Sequence, residues 1–109
     1  MASGSHNPLT LDYTPEALSD LNTIWDWNAA KYGNAHADRY IEFLQRQTDR
    51  LRSTDRGLSV PTRPEFKYLT IRKRSKGYGH VVVYETVENR IRVLRYFHTS
   101  QDWENKLVD

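Results

Sequence analysis

No cysteine occurs among the 109 residues of the chain. Disulfide staples, thiolate metal sites and thiol nucleophiles are thereby excluded, and the absence suits a reducing, cytoplasmic setting. No apolar run approaches the ~20 residues that a bilayer-spanning helix needs, and no signal-peptide pattern opens the sequence, so no membrane partner is expected. His36, His80 and His98 lie scattered, without the close spacing of a zinc site, so neither a metal nor another cofactor is expected. Met1-Ala2-Ser3-Gly4-Ser5-His6 reads as an expression leader. Residues 1–8 are therefore expected to be disordered, with His6 a tag remnant, and 9–109 to form one domain.

What is present is aromatic and charged. Seven tyrosines, three tryptophans and three phenylalanines give a small chain large side chains to bury. The net charge is only +2, but it is unevenly placed. Residues 1–66 carry 7 Lys/Arg against 9 Asp/Glu, whereas residues 67–109 carry 9 against 5. A positive C-terminal half suits an acidic protein or a nucleic acid; an ordinary solvated strand face gives the same count.

Leu9–Tyr13 alternates apolar and polar residues as a short strand does. Thr14-Pro15-Glu16 is a helix start, with Thr14 as cap, Pro15 at the first position and Glu16 at the positive end of the dipole. Leu18, Leu21, Ile24 and Trp25 then predict one buried face, and Gly33 a stop. A second helix is expected from Asn34 as cap, with Ala37, Tyr40, Ile41, Leu44, Thr48 and Leu51 inward, ending at Asp55-Arg56-Gly57. The short link predicts an antiparallel α-helical hairpin lying on a sheet. Residues 57–66, with Pro61 and Pro64, read as loop. Strands are expected near 67–74, 79–86 and 90–98, joined as an antiparallel meander. The unbroken Val81-Val82-Val83 predicts a middle strand covered on both faces. Thr99-Ser100-Gln101-Asp102 opens a short C-terminal helix or tail over 100–107.

Several local patterns carry a family resemblance. They are Leu21-Asn22-Thr23-Ile24-Trp25 followed by Tyr32-Gly33, then Gly79-His80-Val81-Val82-Val83-Tyr84, then Arg92-Val93-Leu94-Arg95 running on to His98-Thr99-Ser100-Gln101-Asp102. In this order they resemble the ParE/RelE superfamily of bacterial type II toxins over nearly all of residues 9–107, on the ParE-like side. The resemblance implies an α+β fold: N-terminal strand, α-helical hairpin on a twisted antiparallel sheet, short C-terminal helix. It implies a cognate antitoxin as partner, within a toxin–antitoxin hetero-oligomer, and one of two targets. ParE-like members inhibit DNA gyrase by contact, a plasmid-stabilization activity; RelE-like members cleave mRNA on the ribosome. A third reading is a non-toxic antitoxin-binding module.

RNA cleavage needs a proton acceptor, a proton donor and cations at the phosphate. His98 or Glu85 with Arg74 and Arg95, joined by Arg72 and Arg92, are the candidates. Against this, the resemblance places a basic residue in many relatives where this chain has Gln101, and Asp102 adds a carboxylate beside the phosphate. The gyrase reading is therefore preferred, with no catalytic residues and no direct sequence-specific nucleic-acid binding. Its target-binding candidates are Arg92, Arg95, His98, Asp102 and Trp103; those for antitoxin are Trp27, Arg72 and Arg74.

Each candidate also has a structural role available. Arg72 and Arg74 are expected on one face of a strand. Arg95 falls in line with Ile91, Val93 and Phe97, so it is expected to pair with a carboxylate or to open on a groove. His98 is expected to hydrogen-bond Asp102 and fix the tail, His80 to be structural or exposed rather than catalytic, and His36 to face solvent. Trp25 is expected in the core and Trp103 against the sheet. Trp27, about 200° round the helix from Trp25, is either a partner anchor or core-edge packing.

Overall fold

The computed structural model describes residues 9–74 and 78–107, so the expected leader at 1–8 lies outside the described residues. The elements are β1 (Thr10–Tyr13), α1 (Pro15–Tyr32), α2 (Asn34–Asp49) followed by a 3₁₀ turn (Arg50–Arg52), β2 (Leu58–Val60), β3 (Arg63–Ile71), β4 (His80–Val87), β5 (Arg90–His98) and a short α3 (Trp103–Lys106).

Helix α1 begins as its sequence dictates. The Thr14 hydroxyl oxygen accepts from the Ala17 N–H at 3.1 Å and donates to the Leu94 carbonyl at 2.9 Å, so the cap also ties the helix to β5. Its buried line runs Ala17, Leu21, Asn28, with Ile24 packed alongside. Leu18, expected on that face, is 49% exposed, because it lies one residue round from Ala17, which faces the sheet. Trp25 is half-buried rather than core; its Nε1 donates to Asp38 Oδ1 at 2.8 Å and pins α1 to α2.

Gly33 serves both helices: its N–H donates to the Ala29 carbonyl at 2.9 Å and its carbonyl accepts from Ala37 N–H at 3.1 Å. The cap therefore falls on Gly33, and Asn34 is already helical. Gly33 has φ 96°, which side-chain-bearing residues avoid, while an added Cβ would meet nothing within 4 Å. Gly33→Ala is thus expected to cost about 1–2 kcal/mol through backbone conformation alone. Urea unfolding should show a lower midpoint with an unchanged m-value; an unshifted midpoint would contradict this account.

The sheet order is β1-β5-β4-β3-β2. Strands β2 to β5 form an antiparallel meander, but β1 runs parallel to β5, from Thr10 beside Arg90 to Tyr13 beside Val93. The sheet is therefore mixed, not wholly antiparallel, since the helical hairpin carries the chain back between β1 and the meander. Residues 57–66 also correct the loop expectation, since they form β2 and the start of β3. Pro61 sits in the turn, and Pro64 falls in the shifted stretch between the Val60–Arg63 and Ser59–Lys67 pairs, where its missing N–H breaks no ladder bond. Asp55 anchors the approach to β2, holding Lys67 Nζ at 2.5 Å and accepting from the Tyr84 hydroxyl and Gly57 N–H. Burial raises its carboxyl pKa, but those donors outweigh burial and hold it below the usual range.

Strand β4 is covered on both faces. Val82 and Tyr84 pack with Leu21, Leu44, Ile91 and Tyr96 beneath the helices. Val81 and Val83 pack with Val60, Phe97 and Leu107 on the other side, where Trp103 closes the layer. Within the helix-side core Thr48 Oγ1 donates to the Leu44 carbonyl at 2.8 Å and lies 2.6 Å from the Tyr96 hydroxyl. Opposite Val83 and Tyr84, β5 supplies Arg95 and Val93, so Leu94 is an extra residue in a bulge. The bulge shifts the alternation: Ile91, Val93 and then Tyr96 join the helix-side core, and Phe97 the opposite one. Arg95 therefore is not in line with Ile91 and Val93 as the simple period predicts.

Candidate functional site

The end of the sheet where β3 leaves, β4 enters and β5 stops lies beside the α1–α2 corner. A cleft of about 990 Å³ opens there. Gly79 makes the approach possible, because a Cβ on it would collide with the Ile71 carbonyl oxygen. The Gly79 carbonyl accepts from Thr99 N–H at 3.0 Å and its N–H donates to Thr99 Oγ1 at 3.1 Å, which ties the tail to the start of β4.

His80 is the buried centre of this region, 8% exposed. Its Nδ1 lies 2.6 Å from the Tyr40 hydroxyl, and its ring meets His98 edge to face with centroids 5.3 Å apart. Burial, with a smaller effect from His98, pushes the His80 pKa down to about 4. Burial also raises the Tyr40 hydroxyl to about 12. The site is thus floored by neutral hydrogen-bonding rings at neutral pH.

His98 does not reach Asp102. Its Nδ1 accepts from the Ser100 N–H at 3.1 Å and lies 2.6 Å from Ser100 Oγ, while its backbone N–H donates to Gln101 Oε1 at 2.8 Å. A tight turn, closed by Gln101 N–H to the His98 carbonyl, brings Ser100 to the ring and the Gln101 side chain to the His98 backbone N–H, and carries Asp102 past them. The Asp102 carboxylate instead accepts from the Asn105 side-chain amide.

Arg95 is paired. Its Nε and Nη2 donate to Asp20 at 2.7 and 3.1 Å, and the same carboxylate accepts from the Tyr96 N–H at 2.9 Å. The Asp20 bond raises the guanidinium pKa further. Arg92 is exposed and faces Glu85 at 3.9 Å, away from the cleft. Trp103 packs on Tyr68 at 5.0 Å and Phe97 at 6.4 Å between ring centroids. Arg72 and Arg74 are exposed beyond the end of β3, not on a strand face. Trp27 is 57% exposed, with Lys31 Nζ 4.8 Å from its ring. His36, expected in solvent, is half-buried against Tyr32 at 4.6 Å.

The structure therefore brings His98, Arg95 and Arg74 to one cleft and leaves Glu85 and Arg92 outside it. Sequence reasoning passed over Tyr40 and Asp20. Strand alternation from Val82 and Tyr84 places His80 on the helix side, beneath the inward stripe that holds Tyr40. Asp20 had no such signal, being 75 residues from Arg95. Among the described residues no group of three His, Cys, Asp or Glu side chains is placed to hold a metal ion, and no helix is long and apolar enough to cross a membrane.

A helical hairpin on a five-stranded mixed sheet, closed by a short C-terminal helix, is the α+β toxin architecture of the ParE/RelE superfamily. The family model for the ParE toxin of the type II toxin-antitoxin system parDE matches residues 11–103, and the chain belongs to that family. Among solved structures, one of the chromosomal ParDE TA system from P. aeruginosa superposes with a TM-score of 0.69 at 21% identity, covering 82% of this chain and 94% of that one. A variant of the E. coli toxin RelE in the free state gives 0.61 at 14% identity, covering 92% and 93%. A conserved protein of Helicobacter pylori, HP0894, gives 0.54 at 15%, covering 85% and 97%. At these identities the likeness concerns the fold. No curated protein sequence matches the chain.

Proposed function

We propose that this member of the ParE toxin family inhibits DNA gyrase by protein–protein contact and is neutralised by a cognate antitoxin in the cytoplasm. The observation that carries the reading is that RNA cleavage needs both a proton acceptor and a proton donor, and of the two candidates only His98 reaches the cleft with Arg74 and Arg95, while Glu85 stays outside it. His98 pairs with His80 at one end of β4, whereas Glu85 pairs with Arg92 five residues along, roughly 16 Å away at ~3.3 Å per residue. Arg95, the cation closest in sequence to His98, has its guanidinium held by Asp20. Contact with a protein needs no such convergence.

The gyrase-facing surface is β5 and the tail, with Arg92, Arg95, His98, Asp102 and Trp103 as its contact residues. An antitoxin segment of acidic character suits Trp27, Arg72 and Arg74. Arg92→Ala with His98→Ala is expected to weaken inhibition of gyrase supercoiling about tenfold or more, as loss of interface anchors does. Cleavage of mRNA on translating ribosomes without gyrase inhibition would overturn the reading in favour of an endoribonuclease. Expression without toxicity would leave a non-toxic antitoxin-binding module.

A further inference from the structure

We propose that the cleft beside the α1–α2 corner binds a nucleoside phosphate, its base between exposed aromatic rings and its phosphates on cations that no carboxylate neutralises. The charge is concentrated there. Among the described residues, Lys31, Lys73, Arg74, Arg95 and Lys106 line the cleft, and Asp20 is its only carboxylate. Asp20 is taken by Arg95. Among the described residues, Lys31, Lys73, Arg74 and Lys106 have no ion-pair partner. A chain of net charge +2 thus places four unneutralised cations around one concavity, which attracts a polyanion.

The aromatic content narrows the anion. Trp27, Tyr32 and Tyr78 line the cleft at 57%, 54% and 79% exposure, half of the six large hydrophobic residues that are exposed among the described residues. Tyr78 tilts over His98 at 5.2 Å, and Trp27 meets Tyr32 edge-on at 6.3 Å with Lys31 Nζ 4.8 Å from the Trp27 ring centroid, so two ring pairs line the cleft. A simple phosphate would leave these rings in water. A nucleobase uses them, and each base–aromatic stack is worth ~1–3 kcal/mol. His80 and Tyr40 at the floor add neutral hydrogen-bonding edges. The cleft's volume of about 990 Å³ is at the upper end of what small-ligand sites hold. The four cations share the lining of one concavity, which suits a free nucleotide.

The site shares Arg95 and His98 with the proposed gyrase-facing surface and Trp27 and Arg74 with the proposed antitoxin surface, so its test uses the toxin chain alone, without gyrase or antitoxin. Titration calorimetry with ATP is compared with adenosine, inorganic triphosphate, a short single-stranded RNA and an acidic peptide. ATP is expected to bind more tightly than adenosine and than triphosphate, because each lacks one half of the recognition. Lys73→Ala with Arg74→Ala is expected to weaken ATP about tenfold or more, through loss of charge-assisted bonds. Trp27→Ala with Tyr78→Ala should do the same without changing the affinity for triphosphate. All four side chains are exposed, so circular dichroism should be unaltered. Absence of ATP binding, triphosphate binding as tightly as ATP, or binding of the RNA or the acidic peptide but not ATP would each overturn the proposal.

Discussion

Asp20→Ala is expected to destabilise the fold by about 2–3 kcal/mol, more than any other single carboxylate change. One carboxylate on α1 satisfies three donors of β5: Arg95 Nε at 2.7 Å, Arg95 Nη2 at 3.1 Å and the Tyr96 N–H at 2.9 Å. Strand β1 covers β5 only as far as Val93, so beyond that point α1 closes the strand edge. Asp20 is the residue that does so for Tyr96. Removing it strands a part-buried guanidinium and a buried backbone N–H, each costing about 1–3 kcal/mol, and partial exposure of Arg95 limits the sum. Asp20→Asn keeps an acceptor for Tyr96 and should cost about half as much. A cycle with Arg95→Ala, read by urea unfolding, should return a coupling of about 1–2 kcal/mol. A loss under ~0.5 kcal/mol for Asp20→Ala would mean that α1 is held by its apolar face alone.

This pair also bears on the charge of the C-terminal half. Arg90 faces Asp12 at 3.4 Å, Arg92 faces Glu85 at 3.9 Å, and Lys67 and Arg95 are paired with Asp55 and Asp20. Acidic residues of the N-terminal half thus meet three of these four cations. The surplus that sequence counting assigns to the whole half resides at the β3–β4 connection, which carries Arg72, Lys73, Arg74 and Lys76, whereas the tail has Asp102, Glu104 and Asp109 against Lys106.

What was legible follows from local physics. Thr14-Pro15-Glu16 is a helix start wherever it occurs, and Val81-Val82-Val83 needs apolar cover on both sides of a strand. The helix-side stripe of Ala37, Leu44, Thr48 and Leu51 needs only the helical period. What was not legible depends on relations between distant segments. The direction of β1 against β5 leaves no mark in its alternation. Pro61 and Pro64 look like loop because local rules cannot see that one occupies a turn and the other a gap in the ladder. The bulge at Leu94 inverts the facing of every later residue on β5, so Arg95 was assigned to the wrong line by a single position. At the site, Trp27's exposure and the Tyr40–His80 contact depend on how the hairpin lies over the sheet, which fixes the cleft but is written in no single motif.

Acid is expected to weaken the folded state through His80, by about 2 kcal/mol between pH 7 and pH 5. The folded ring, buried and beside His98, takes its proton only near pH 4, against an ordinary value of 6.5. Between these two values the unfolded chain binds the extra proton and the folded chain does not. The stabilisation is therefore complete above about 6.5 and is lost as pH falls towards 4. The Tyr40 hydroxyl, 2.6 Å from Nδ1, suits the neutral ring as donor, and no carboxylate is placed among its contacts to favour the cation. His80→Gln keeps a hydrogen-bonding side chain without the titration, so it should flatten this part of the pH profile even if it lowers stability at pH 7. Urea midpoints at closely spaced pH values separate the outcomes. An equal decline in wild type and variant would remove His80 as its cause, and Asp55 would not replace it, because its lowered pKa places its own loss of stability below the ordinary carboxylate value of 3.8.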